Sequence, residues 1–259
     1  MAVSSYYGFG VFCFKEVKRF LNVPGQTVFA PLISSLLFLI VFTFALKRSV
    51  LVIYDVPYIA FLASGLLMMS ITQNAFANSS SSILHTKILG NIGDILMVPL
   101  HAHEIALAYI IGGVVRGLLV GCTNALLLLS VIVYVDALQL HIGLLLYYSV
   151  MGSCMMASLG LIIGLYANKF DHMSSINNFI ITPATFLSGT FYAIQDLPMA
   201  FQVIARLNPL HYLIDGMRYS LVGYCDSSLV IGVAVTSLVT LTLVFCSCLM
   251  LRKGYRIMP

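Results

Sequence analysis

The sequence predicts an all-α polytopic membrane protein of about six transmembrane helices, and three observations carry that expectation. Hydrophobic residues make up 60% of the 259 positions and charged residues only 8%, with a mean hydropathy of +1.01, whereas soluble domains carry roughly 25% charged residues. Apolar runs near residues 28–46, 58–77, 105–133, 143–167, 177–191 and 229–251 recur at the scale of a bilayer crossing, for which about 20 helical residues are needed. Basic residues are also unevenly divided. With both termini in the cytoplasm, Lys15, Lys18, Arg19, Lys87, Lys169, Arg252, Lys253 and Arg256 lie inside, against Lys47, Arg48, Arg206 and Arg218 outside. Only Lys47-Arg48, directly after the first run, argues the other way. The net charge of +4 therefore reports topology rather than affinity for nucleic acid. Residues 1–14 lack the early basic region and small-residue cleavage site of a signal peptide. A single membrane domain over residues 1–259 is expected.

In chain order, the first element is an amphipathic helix. Phe9, Phe12, Cys13, Val17, Phe20 and Leu21 recur at helical spacing, with Lys15, Lys18, Arg19 and Asn22 opposite. Lys15, Glu16, Lys18 and Arg19 suit a helix lying in the cytoplasmic interface, as an anchor or as a docking surface. Pro24-Gly25 turns the chain into the first span. The second span is expected to end at the polar run 78–82. Beyond it Ile88, Leu89, Ile92, Ile95, Leu96 and Pro99 repeat at helical spacing against Lys87, Asn91 and Asp94. A short amphipathic helix held there either fits a partner's groove or shields the bundle.

The fifth span opens on Asn177, Asn178, Thr182, Pro183 and Thr185 and breaks at Ser188-Gly189-Thr190. Two apolar pieces follow, 197–207 and 210–221, each too short to cross a bilayer and separated by Asn208-Pro209, where proline disfavours helix at Asn208 and favours a new start after it. The pattern describes an outer re-entrant helical hairpin, or a loop lying flat on the outer leaflet. Re-entrant backbone survives at depth only beside protein or a watery cavity. Asp215 and Arg218, one turn apart, either pair at the rim or stand as a solvated couple.

Few residues in the spans carry chemistry. Arg116 is the single charge inside one, either facing the bundle interior or snorkelling to lipid phosphates. The nine acidic residues fall at or beyond span ends, which leaves no proton relay in the membrane. Gly113, Gly117 and Gly121, and Gly160 with Gly164, form small-residue ridges for close helix packing. His101, His103 and Glu104 lack the spacing and second cluster of a metal site, so no metal is expected. The six cysteines read as buried apolar residues rather than a disulfide framework. No phosphate-cradling Gly-x-x-x-x-Gly-Lys-Ser/Thr occurs.

Taken together these segments resemble the permease subunits of type-2 ABC exporters. The resemblance rests on the lead-in Lys15-Glu16-Val17-Lys18-Arg19-Phe20, on GLLMMSITQNAFANSSSS, on NIGDILMVPLHAHEIALAY, on VVRGLLVG and on FLSGTFYAIQDLP followed by LNPLHYLIDGMRY. It implies a cytoplasmic coupling helix with Ile88, Ile92, Asp94, Ile95, Leu96, Val98, Pro99 and Leu100 facing an ATP-binding cassette ATPase. It also implies a second permease subunit, expected as a homodimer, in a bacterial cytoplasmic (inner) membrane among membrane lipids. No cofactor is expected in this chain, ATP and Mg being bound by the partner, and no catalytic residue. Asn74, Asn78, Arg116, Asn178, Thr182 and Thr185 are the groups expected along a path between the two subunits, the alternative being hydrogen bonds within one bundle. Gly189, Asn208, Pro209, Asp215 and Arg218 are expected at an outer gate. Two other classes remain at this stage. A self-sufficient channel or secondary carrier would transport without an ATPase, and an intramembrane enzyme would need a nucleophile, acid–base pair or metal cluster in the spans.

Overall fold

The apolar runs fold into long helices, as a chain in lipid must satisfy its backbone within each segment. The computed structural model describes residues 2–46, 52–53, 56–91, 93, 97 and 100–254. In order these are α1 (Ala2–Leu21), a π turn (Gly25–Phe29) running into α2 (Ala30–Leu46), α3 (Tyr58–Ile88), α4 (Ala102–Tyr134) and α5 (Ile142–Tyr166). Next come α6 (Phe170–Ile176), a second π turn (Asn177–Ile181), α7 (Thr182–Leu187), α8 (Met199–Leu207), α9 (Pro209–Val222) and α10 (Leu229–Arg252). A two-residue antiparallel pairing of β1 (Val52–Ile53) with β2 (Val56–Pro57) precedes α3. Among the described residues five helices are long and apolar enough to cross a membrane: Gly25–Phe44, α3, α4, α5 and α10.

The fifth expected span starts earlier than its apolar run. Phe170 to Leu187 is one helical stretch, too polar to stand with the other five, and it ends where Ser188 and Gly189 turn the chain at a Gly189 φ of 83°. Each π turn ends two residues before a proline, Pro31 or Pro183. A proline ring inside a helix clashes with the carbonyl four residues back and removes one hydrogen bond, and a widened turn relieves that clash.

The expected end of the second span at residues 78–82 is wrong: α3 continues through it to Ile88. The serines there return their hydroxyls to the helix, Ser80 to the Phe76 carbonyl at 2.8 Å and Ser81 to that of Asn78 at 3.2 Å. Ser79 instead donates to the Tyr109 carbonyl of α4 at 3.1 Å. Polar residues that meet their own needs in this way can sit in a buried helix.

α3 is the axis of the bundle and almost entirely buried, with α4, α5 and α9 packed around it and α2 on one flank. Small residues set these distances. A Cβ at Gly160 would come within 2.5 Å of the Phe76 carbonyl oxygen, and one at Gly113 within 2.7 Å of Ala157 Cβ. α2 and α10 sit at the margins and leave Ile33, Leu37, Phe44, Leu238, Leu241 and Phe245 exposed, as lipid-facing or partner-facing surfaces do.

Candidate functional site

Three polar regions interrupt this apolar bundle, at the end bearing α1, along α3, and at the opposite end. The first binds α1 to the bundle. Phe12 and Phe20 are buried, and Phe12 meets Tyr109 edge-on at 5.2 Å between ring centres. Glu16 lies between them at four-residue spacing and is 2% exposed, so it leaves the polar face where Lys15 and Lys18 stay exposed. Its carboxylate accepts from Ser82 Oγ at 2.6 Å and pairs with Arg19 Nε at 3.5 Å. Gly112 makes the room, since a Cβ there would stand 2.8 Å from that of Glu16. Arg19 Nη2 donates to the Asn78 carbonyl at 3.0 Å and to Asn78 Oδ1 at 2.9 Å. Asn78, expected along the path, is therefore fully buried in the joint between α1 and α3. Burial, with Glu16 nearby, pushes the Cys13 thiol up from its ordinary pKa.

The second region is a groove along α3. A cavity of about 240 Å³ lies between α3 and the start of α2, lined by Gln26, Ser34 and Ser35 on one wall and Ser70, Gln73 and Asn74 on the other. A second, of about 330 Å³, lies between α3 and the fifth helical stretch, where Ser174, Asn177, Asn178 and Thr182 face Gln73, Asn74 and Ser80. Gln73 and Asn74 line both and so form the partition. Asn74 Nδ2 donates to the Ser70 carbonyl at 3.0 Å, which turns Oδ1 towards Arg116 Nη2 at 3.3 Å. Arg116 is half-buried, with Nε enclosed and unpartnered. Of the six residues expected along a path, Asn74, Asn178 and Thr182 line the groove and Arg116 touches its partition. Thr185 does not join them. It is fully buried and donates to the Thr182 carbonyl at 2.7 Å.

The third region is the hairpin. Its first arm, α8, keeps Met199, Phe201, Val203, Ile204 and Leu207 exposed, whereas α9 is buried against α3 and α5. Asn208 opens α9: its Oδ1 accepts from Leu210 N at 3.1 Å, and Nδ2 reaches the Ala184 carbonyl at 2.7 Å and Ser188 Oγ at 2.8 Å. Pro209 takes the first helical position, where its missing N–H costs nothing. Asp215 and Arg218 are neither directly paired nor solvated, being 2% and 1% exposed. Arg218 donates to the Gly189 carbonyl at 2.7 Å, and its guanidinium carbon lies 3.6 Å from the Phe61 ring centre. Asp215 accepts from the backbone N–H groups of Asp226 and Ser227 at 2.7 and 2.9 Å. Burial, and then the Asp215 and Asp226 carboxylates, pushes the Cys225 thiol up.

A helical bundle with a polar groove is common to many transporters, and comparison with known proteins decides among them. Residues 7–222 match the family model described as ABC-2 type transporter. The chain belongs to the ABC-2 type transporter family. It is 34% identical over 245 residues to inner membrane transport permease YadH of Escherichia coli K12, covering 93% of this chain and 94% of that one. Nodulation protein J of Rhizobium meliloti is 31% identical over 222 residues, covering 79% and 76%. The protein is thus an integral inner-membrane transport permease, and membership implies an ATP-binding cassette component as partner.

The segment between α3 and α4 is only partly described. Ile92, Asp94, Ile95, Leu96, Val98 and Pro99 of the expected coupling helix lie outside the described residues. Ile88 at the end of α3 is 48% exposed, and Leu100 packs towards α1, where a Cβ on Gly8 would meet it at 3.4 Å. Glu104 caps α4 by accepting from His101 N at 2.7 Å. The reading from sequence missed Lys87, one residue before this segment. It is 8% exposed, and its Nζ donates to the Leu165 and Ala167 carbonyls at 2.7 and 2.8 Å. Those carbonyls belong to the C-terminal end of α5, where helices leave acceptors unsatisfied and favour positive charge. Lys87 thereby ties the end of α3 to the junction between α5 and α6.

Proposed function

We propose that this chain is the membrane-spanning half of an ATP-driven exporter, in which the groove along α3 becomes the translocation path once two copies face each other. The observation that carries the reading is the groove itself: Gln73 and Asn74 of α3 line both cavities, and Asn178 and Thr182 line the second with them. Amides left in hydrocarbon are costly unless protein or water meets them. The distribution of basic residues supports cytoplasmic termini, so α1, Lys87 and residues 88–100 lie on the ATPase side and the hairpin faces outward. On this reading, ATP-driven movement of the 88–100 segment reaches the fifth helical stretch through Lys87, and α9 with its anchors at Gly189 and Asn208 holds the outer end closed.

The decisive experiment is co-purification with the partner ATPase, followed by reconstitution and measurement of ATP hydrolysis and transport. Replacing Asp94 and Leu96 together is expected to uncouple hydrolysis from transport while leaving membrane insertion intact. Unchanged transport in that double variant would exclude this segment as the coupling element. ATP-independent transport by the permease alone would instead establish a secondary carrier.

A further inference from the structure

We infer that the apolar groove between the last turns of α5 and α10 is a binding site for an anionic phospholipid, with an acyl chain in the groove and the headgroup phosphate on Lys253. None of its residues lines the cavities along α3, so the site is independent of the path proposed there.

Shape and depth come first. The groove measures about 570 Å³. On α5, Ile162 and Ile163 line it and Tyr166 follows one turn later; on α10, Cys246, Leu249 and Met250 line it and Lys253 follows one turn later. The five wall residues are half-buried, whereas Tyr166 and Lys253 are exposed, so the groove runs from an apolar floor to a polar mouth. α5 has 25 residues and α10 has 24, about 36 Å of helix at roughly 1.5 Å per residue, against a hydrocarbon core of about 30 Å. Their last turns therefore emerge at the headgroups, where a tyrosine and a lysine with its long apolar stem are at home. Glu16 and Lys87 hold α1 and the end of α5 to the same end of α3, so the mouth opens towards the leaflet read above as cytoplasmic.

Charge selects the headgroup. Lys253 lines the groove itself, and no acidic residue does. The ion pairs found among the described residues, Arg19–Glu16 and His101–Glu104, do not include it. Helix C-termini repel anions, yet neither one does so here. The Leu165 and Ala167 carbonyls at the end of α5 are met by Lys87 Nζ. At the end of α10, Arg252 and Lys253 together exceed the roughly half negative charge of one helix end. The mouth is left with excess positive charge above an apolar slot, the pattern by which basic pockets between spans take anionic lipid.

The chain contains no tryptophan, so a single introduced one reports on its own surroundings. Full-length permease carrying Tyr166→Trp is placed in vesicles of phosphatidylcholine, and quenching by brominated phosphatidylglycerol is compared with quenching by brominated phosphatidylcholine. A preference of about fivefold for phosphatidylglycerol is expected, as one lysine near a phosphate layer implies, and it is expected to shrink with added salt. Lys253→Gln is expected to abolish the preference and Lys253→Arg to keep it. Leu241→Trp, exposed elsewhere on α10, is expected to show none. Native mass spectrometry of the unlabelled permease and of Lys253→Gln, counting retained phosphatidylglycerol, needs no reporter and keeps the test valid if Tyr166→Trp fails to fold. Equal quenching by the two lipids, the same preference at Leu241→Trp, or a preference unchanged in Lys253→Gln would overturn the inference. So would protection of Tyr166→Trp from both lipids, which would mean that protein covers the groove.

Discussion

Lys87 shows how a residue can look like a topology marker and act as a joint. By sequence it is one more cation on the cytoplasmic side. In the structure its ammonium is buried on the Leu165 and Ala167 carbonyls, and a backbone acceptor far along the chain leaves no mark on side-chain periodicity. Glu16 differs, because its burial was legible: it shares the four-residue stripe of Phe12 and Phe20. The expectation grouped it with Lys15 by chemical type, and position on the helix decided otherwise. Lys87→Met removes the donor and leaves those carbonyls buried, so a loss of about 1–3 kcal/mol is expected from unsatisfied acceptors. Thermal unfolding of the purified permease measures that loss. A structural role alone predicts only this. A joint predicts in addition that transport per ATP hydrolysed falls even where folding is held by low temperature, and that Lys87→Arg restores part of it.

Among the elements, the spans at 28–46, 105–133, 143–167 and 229–251 correspond closely to helices because hydropathy alone determines them in lipid. The fifth was harder. Its helix begins in a polar stretch at Phe170 and carries Pro183, and its π turn follows from that proline rather than from any apolar pattern. Pro31 does the same in α2, so two helices bordering the groove share one device. Pro31→Ala with Pro183→Ala is expected to convert both π turns to regular α-helix and rotate Gln26, Asn177 and Asn178 relative to the groove. Higher thermal stability with slower transport is the expected pair of outcomes, since an interior proline costs a helix about 3 kcal/mol. Faster transport would show that the turns are packing accommodations only.

The hairpin makes a sharper point about spacing. Asp215 and Arg218 are three residues apart, and a pair was a fair expectation from that interval. Instead each reaches a different element, Arg218 the turn at Gly189 and Asp215 the loop before α10. Helical spacing states which residues share a face, and tertiary partners decide where each side chain ends. Arg218→Ala is therefore expected to loosen the hairpin, through the lost bond to Gly189 and the space left over Phe61. Exchanging the two charges, Asp215→Arg with Arg218→Asp, is expected not to restore it, because neither anchor would then face its proper sign. Recovery of wild-type stability by the exchange would mean that the two charges act chiefly on each other.

At the scale of the molecule, the proposed passage needs a second copy to complete it. A bundle alone would leave Gln73, Asn178 and Thr182 partly exposed to lipid along one side, while α10 on the far side exposes apolar residues such as Val230, Leu238, Leu241 and Phe245. The sequence could supply these polar residues but not the face they share, because that face is assembled from α2, α3 and the fifth helical stretch. α2 and the last residue of the π turn before it carry an exposed stripe of Phe29, Ile33, Leu37, Ile40 and Phe44. Exposed apolar residues need no cover in a membrane, so the stripe says little by itself, whereas the amides next to it do call for protein or water. A second copy laid against α2 would enclose both grooves in one polar passage and leave α10 to lipid. Cysteine at Leu37, in a variant with the six native cysteines replaced, is therefore expected to cross-link copies in the native membrane. Cysteine at Leu241 on α10, exposed to a similar degree, is the control and is expected not to. Cross-linking at Leu241 and none at Leu37 would place the partner on the wrong side of the bundle, and the groove could not then be the passage.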